Sequence, residues 1–164
     1  MRLSYKIAAP LAVAIVLLDQ ATKLWIQDHM VLFTTRPVIP GFFNIVHVLN
    51  RGAAFGFLNR SDIQWQTYFF FAATALAVMI IFHLLRMAQD DDKLLITGLA
   101  CILGGAIGNL IDRIKTGEVI DFLDFYWKGY HWPAFNVADI AIFLGSLGLL
   151  VAFYRFRRPK KSGS

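Results

Sequence analysis

Two aspartates set in apolar sequence are the residues of this chain best suited to chemistry: Asp121 in Val119-Ile120-Asp121-Phe122, and Asp139 in Phe135-Asn136-Val137-Ala138-Asp139. Ionisable groups at the edge of hydrocarbon are costly, so they mark function by default. Two carboxylates that meet in a partly dry site cannot both ionise easily. One keeps its proton, and the pair then offers a base and an acid together. That arrangement can activate a water and polarise a carbonyl, which is the chemistry of aspartic proteolysis. The two lie 18 residues apart, so a loop must fold back onto a helix start to join them. The same pair could instead carry ions, as in a small proton-coupled transporter or channel.

Other catalytic constellations find less support. There is no His-Glu-x-x-His, and His29, His47, His83 and His131 are scattered without metal-ligand spacing. No serine sits in a Gly-x-Ser-x-Gly elbow, since Ser146 lies within an apolar run, and Cys101 has no base beside it. Asp90-Asp91-Asp92 is acidic, but three consecutive side chains diverge, and a solvated turn explains them. Neither a metal nor another cofactor is expected.

The elements that must position the acids are membrane spans. Of the 164 residues 57% are hydrophobic, too many for a soluble domain, and several apolar runs approach the length of about 20 residues that crosses a bilayer. The runs place spans at about 7–26, 67–85, 94–111 and 133–153, the last beginning at Pro133, a residue suited to a helix start. They form one domain with two long loops, at about 28–64 and 113–132. Within the first span Asp19 and Lys23 are four residues apart and share a face, where they either pair with each other or form a polar wall along a substrate. Gly104 and Gly108 make a small-xxx-small face suited to close helix packing, or to docking in a larger assembly. Phe42 to Leu49 is rich in aromatic and β-branched residues and reads as strand. The aromatic run from Phe125 to Trp132 marks a membrane–water interface. The net charge of +5 could point to nucleic acid, but the basic residues cluster at span ends and in the tail after Tyr154. Membrane topology accounts for them better: both termini inside, both long loops and both acids outside.

Taken together, the blocks Asp19-Gln20-x-x-Lys23, Asn50-x-Gly52-Ala53-Ala54-Phe55, Gly104-Gly105-Ala106-x-Gly108-Asn109-x-x-Asp112-Arg113, Val119-x-Asp121-Phe122 and Phe135-Asn136-x-Ala138-Asp139 resemble the lipoprotein signal peptidase (signal peptidase II) family. The resemblance implies an all-α membrane fold of four transmembrane helices, with a small extracytoplasmic β-cradle and a short periplasmic helix. The cradle would come largely from the 29–63 loop and the short helix from around 123–132. It implies an aspartic endopeptidase of the bacterial inner membrane, a monomer that removes signal peptides from diacylglyceryl-modified prolipoproteins by cutting before the lipidated cysteine. Membrane lipid would be a further partner, and globomycin an inhibitor. Asp121 and Asp139 match the catalytic acids. Asn50, Asn109, Arg113 and Asn136 match substrate-groove positions, and Asp19 and Lys23 match a supporting pair. Arg113 offers planar donors for substrate carbonyls, unless it pairs with Asp112 or Glu118. Asn109 and Asn136 can donate and accept along a peptide backbone, or satisfy a helix end. Asp112 is read as structural.

Overall fold

A computed structural model describes residues 3–51 and 65–156. The small-residue block at 52–57, Arg2 and the basic residues beyond Phe156 lie outside the described residues. Four helices run Leu3–His29 (α1), Trp65–Met87 (α2), Lys93–Thr116 (α3) and Val137–Phe156 (α4). Each is long and apolar enough to cross a membrane. Four strands, Thr35–Ile39 (β1), Phe43–Asn50 (β2), Val119–Trp127 (β3) and Tyr130–His131 (β4), form one antiparallel sheet in the order β1-β2-β3-β4. The sheet sits where α1 and α3 finish and α2 and α4 begin.

Helix α3 is the centre of the bundle, packed chiefly on α4 and α1. Its glycines explain how closely. A Cβ at Gly104 would stand 2.9 Å from the Ala12 carbonyl oxygen of α1, and one at Gly105 would stand 2.3 Å from the Ala138 carbonyl oxygen of α4. The stripe read as Gly104/Gly108 therefore faces α1, while Gly105, beside it, admits the start of α4. Gly105→Ala drives a methyl group into backbone that cannot rotate away. It is expected to lower stability by about 1–3 kcal/mol, read as a lower thermal midpoint of detergent-solubilised protein. Gly148→Ala, whose Cβ would meet nothing closer than 3.7 Å, is expected to change it little.

Helix ends follow from local chemistry. Asp92, within the acidic triplet, caps α3 by accepting from the Leu95 N–H at 3.1 Å. Gly117 ends α3 in the left-handed region at φ 81°, with its N–H on the Arg113 carbonyl. Helix α4 begins at Val137 and not at Pro133, because Asn136 and Asp139 close a reciprocal cap there. The Asp139 N–H donates to Asn136 Oδ1 at 3.0 Å, and the Asn136 N–H donates to Asp139 Oδ2 at 3.2 Å.

Two expectations for the loops are corrected. The stretch 123–132 is not a helix: it is the second half of β3 and the hairpin into β4, and among the described residues no short helix stands beside the four long ones. Leu123 pairs with Ile45, Asp124 with Asn44 and Phe125 with Phe43, so the aromatic run is held by strand pairing. Lys128 and Gly129, at φ 50° and 82°, supply the two left-handed residues that a tight hairpin needs. The cradle, in turn, draws as much on the second loop as on the first, since β3 pairs along most of β2. Ile26 of α1 and Met30 just past its end pack with Ile120 and Phe122 of β3 in an apolar cluster that fixes the sheet on the bundle.

Candidate active site

Strand β3 and the start of α4 bring Asp121 and Asp139 to one place. Asn136 joins them: its Nδ2 donates to Asp121 Oδ1 at 2.7 Å, while its backbone N–H and Oδ1 hold Asp139 in the cap. Asn109 of α3 reaches Asp139 from the other side, its Nδ2 donating to Oδ1 at 2.8 Å. Asn50, the last residue of β2, donates to Asp121 Oδ2 at 3.0 Å. Both oxygens of each acid thus receive a donor, and the donors come from three places in the fold: the end of β2, α3 and the residue that begins α4. Asp121 is buried to 2% exposure, whereas Asp139 is half-buried.

Burial first, and then the negative charge of Asp139, push the Asp121 carboxyl up from the ordinary carboxylate value to about 7. The hydrogen bonds from Asn50 and Asn136 act the other way but do not win. An acid with a raised folded-state value binds its proton more tightly when folded than when unfolded. Its contribution to stability is therefore complete below the unfolded value and is lost as pH rises through about 7. Thermal midpoints measured from pH 4 to 8 are expected to fall over that window for the native chain. Asp121→Asn, which has no proton to lose, should remove that part of the slope.

Beneath the acids lies a charged cluster. Lys23, 1% exposed, places its ammonium 2.8 Å from Asp19 Oδ2, 2.8 Å from Asp112 Oδ2 and 3.0 Å from Asn109 Oδ1. All three of its N–H donors are thereby used. Asp19 does pair with Lys23 within α1, and its other oxygen accepts the Ala138 N–H of α4 at 2.9 Å. Asp112 binds Lys23 and accepts from Gln20 and from the Ile120 N–H, which ties α3 to β3. Arg113 pairs with neither Asp112 nor Glu118, since Glu118 is held by Arg51. Its guanidinium instead lies over the Phe70 ring of α2, 4.8 Å from the centroid, with one N–H on the Asn109 carbonyl oxygen. Its buried Nε has no hydrogen-bond partner among the described residues.

Some participants were not assigned from the sequence. Gln20 donates to Asp112 at 2.8 Å and accepts from Lys115 at 3.0 Å, bracing α1 on α3. The helical spacing of Gln20, Lys23 and Gln27 was a signal for it. Phe70 carried none, because an aromatic in an apolar span looks like any other. On the sheet, Asp124 accepts from Asn44 at 2.8 Å and meets His131 Nδ1 at 2.8 Å, which ties β2, β3 and β4 together away from the paired acids. Among the described residues no three His, Cys, Asp or Glu side chains come together as metal ligands.

Comparison with known proteins gives the family. The profile of the signal peptidase (SPase) II family matches residues 11–155. A lipoprotein signal peptidase of Maridesulfovibrio salexigens is 56% identical over 92% of this chain and 97% of its own length. One from Nitratidesulfovibrio vulgaris is 51% identical over 97% of this chain and 96% of its own. One from Geobacter sulfurreducens is 47% identical over 98% of this chain and 99% of its own. A solved structure described as a bacterial membrane enzyme superposes with a TM-score of 0.83 at 33% identity, covering 96% of this chain and 93% of that one. A family profile spanning most of the chain, and relatives matched nearly end to end, leave one assignment: this chain belongs to the signal peptidase II family.

Proposed function

We propose that this protein is an aspartic endopeptidase that removes signal peptides from diacylglyceryl-modified prolipoproteins, cutting before the lipidated cysteine. The family supports the peptidase and its prolipoprotein substrates. The observation that carries the aspartic mechanism is Asn136, which bonds both acids at once. In this reading Asp139 carries the charge and takes a proton from a water, whose oxygen attacks the scissile carbonyl carbon. Asp121 gives its proton to the carbonyl oxygen. The tetrahedral intermediate then collapses: its carbon–nitrogen bond breaks, the proton on Asp139 passes to the leaving amine, and Asp121 recovers its own. Arg113, set over the Phe70 ring with its Nε without a hydrogen-bond partner among the described residues, is positioned to donate to a substrate carbonyl. Asn50, Asn109 and Asn136 orient the acids and line the groove.

The positive-inside rule puts both termini in the cytoplasm and the sheet and acids on the periplasmic side of a bacterial inner membrane. Globomycin-type peptides would compete for the same groove, and the chain would act as a monomer. Purified protein incubated with a diacylated precursor peptide and its unacylated counterpart is expected to cleave the first before cysteine and leave the second intact, with or without EDTA. Loss of cleavage with EDTA and its return with zinc would overturn the metal-free mechanism. Ion flux in reconstituted vesicles without cleavage of either peptide would favour a transporter instead.

A further inference from the structure

The Lys23 ammonium already has two carboxylates at 2.8 Å, enough to neutralise it. Its third donor goes to a neutral group, Asn109 Oδ1 at 3.0 Å, and that amide's other end is in the site, on Asp139. An ammonium only donates, so it accepts one orientation of the amide and refuses the other. With the oxygen turned to Lys23, the Asn109 N–H must face Asp139. A donor facing a carboxylate favours its charged form; a carbonyl oxygen facing it would favour the protonated one. We propose that Lys23 is a positioning residue for the aspartate pair: by locking the Asn109 amide it assigns the charge to Asp139 and the proton to Asp121. The inference rests on the aspartic reading above.

The groups around the pair come from every neighbouring element. Asp139 faces Asn109 and the Arg113 charge of α3, the Asn136 N–H at its own helix start, and Asp121 of β3. Asp121 faces Asn50 of β2, Asn136, the Asp139 and Arg113 charges and the more distant Lys23 charge. Asp19 is occupied by Lys23, Gln20 and the Ala138 N–H. Arg113 is the other cation near the pair, but its hydrogen bond goes to the Asn109 backbone and leaves the side-chain amide free to turn. The same oxygen also accepts from the Asn136 Nδ2 at 3.2 Å, but that donor belongs to an amide that can itself turn, whereas the Lys23 ammonium has no acceptor to offer in any orientation.

A merely structural lysine would change how much enzyme folds; a positioning one changes the pH at which it works. The experiment is kcat/KM for a diacylated precursor across pH with the full chain carrying Lys23→Met, together with the infrared band of the protonated carboxyl. Both limbs of the pH profile are expected to move upward by about one pH unit, since removal of a nearby cation disfavours both ionisations. The carboxylic-acid band, which Asp121→Asn should abolish in the native background, should in the Lys23→Met background be abolished by Asp139→Asn. Lys23→Arg should return the limbs towards their original position. If Lys23→Met does not fold, the charge-balanced double variant Lys23→Met with Asp112→Asn decides by the same two readings. Limbs that stay in place while only the amount of active enzyme falls would overturn the proposal. Turnover by Asp121→Asn or Asp139→Asn is a separate outcome, and it would overturn the aspartic reading on which this one stands.

Discussion

Asp139→Asn and Asp121→Asn should each reduce cleavage of a diacylated precursor by at least about 10³-fold while leaving a folded, membrane-inserted protein. The loss is large because each substitution removes a proton site that no neighbour can replace. Asn50, Asn109 and Asn136 do not ionise, and the other nearby acids, Asp19 and Asp112, are both bound to Lys23. The fold should survive because asparagine has the same shape and keeps one acceptor oxygen. Asp139 now accepts on both oxygens, from the Asn109 amide and from the Asn136 N–H. After substitution one of those donors faces another donor, a local cost of about 1–3 kcal/mol. A cleavage assay on purified variants, with a thermal midpoint as the control for folding, reads both quantities. Native-like turnover by either variant would remove the acid in question from the mechanism.

The largest effect on stability is expected at Asp19, which touches no substrate. Asp19→Ala leaves the buried Lys23 ammonium with one carboxylate in place of two, and leaves the Ala138 N–H without its acceptor. Breaking a buried ion pair by removing one partner costs about 3–5 kcal/mol, because the remaining charge stays in a dry place. The same change uncouples α1 from the start of α4, the turn that carries Asp139. We therefore expect a large fall in thermal midpoint and in the yield of folded protein, with residual activity falling in step. Asp19→Asn, which can still accept from Ala138, should fall less. A midpoint for Asp19→Ala equal to that of the native chain would mean that water reaches Lys23 and that the cluster is not dry.

Much of this was legible before any coordinates. Spans were readable because lipid demands uninterrupted apolar length, and the pair of acids because charge is conspicuous in such sequence. The Asp19–Lys23 contact followed from helical spacing alone. What could not be read was tertiary. Lys23 meets Asn109 across 86 residues, and nothing local marks that meeting. A helix over 123–132 is expected only from the family resemblance; the aromatic residues there suit an interface and a strand equally well, and it is the pairing with β2 that makes them strand. The start of α4 was placed at Pro133 although Asn136-x-x-Asp139 already had the spacing of a reciprocal cap. Capping and catalysis compete to explain the same two residues; the cap is seen, and the proposed mechanism asks them to do both.

Helix α2 packs on α3 and only lightly on α1, and makes little contact with α4. Phe70, under Arg113, is a point where it meets the residues around the acids. A bundle parted along that seam opens sideways into the bilayer, so a precursor anchored by its acyl chains can arrive without leaving the plane in which it diffuses. Encounter then becomes a two-dimensional search. Apparent KM in micelles should follow the mole fraction of precursor per detergent molecule, and diluting the mixture at fixed mole fraction should leave the rate unchanged.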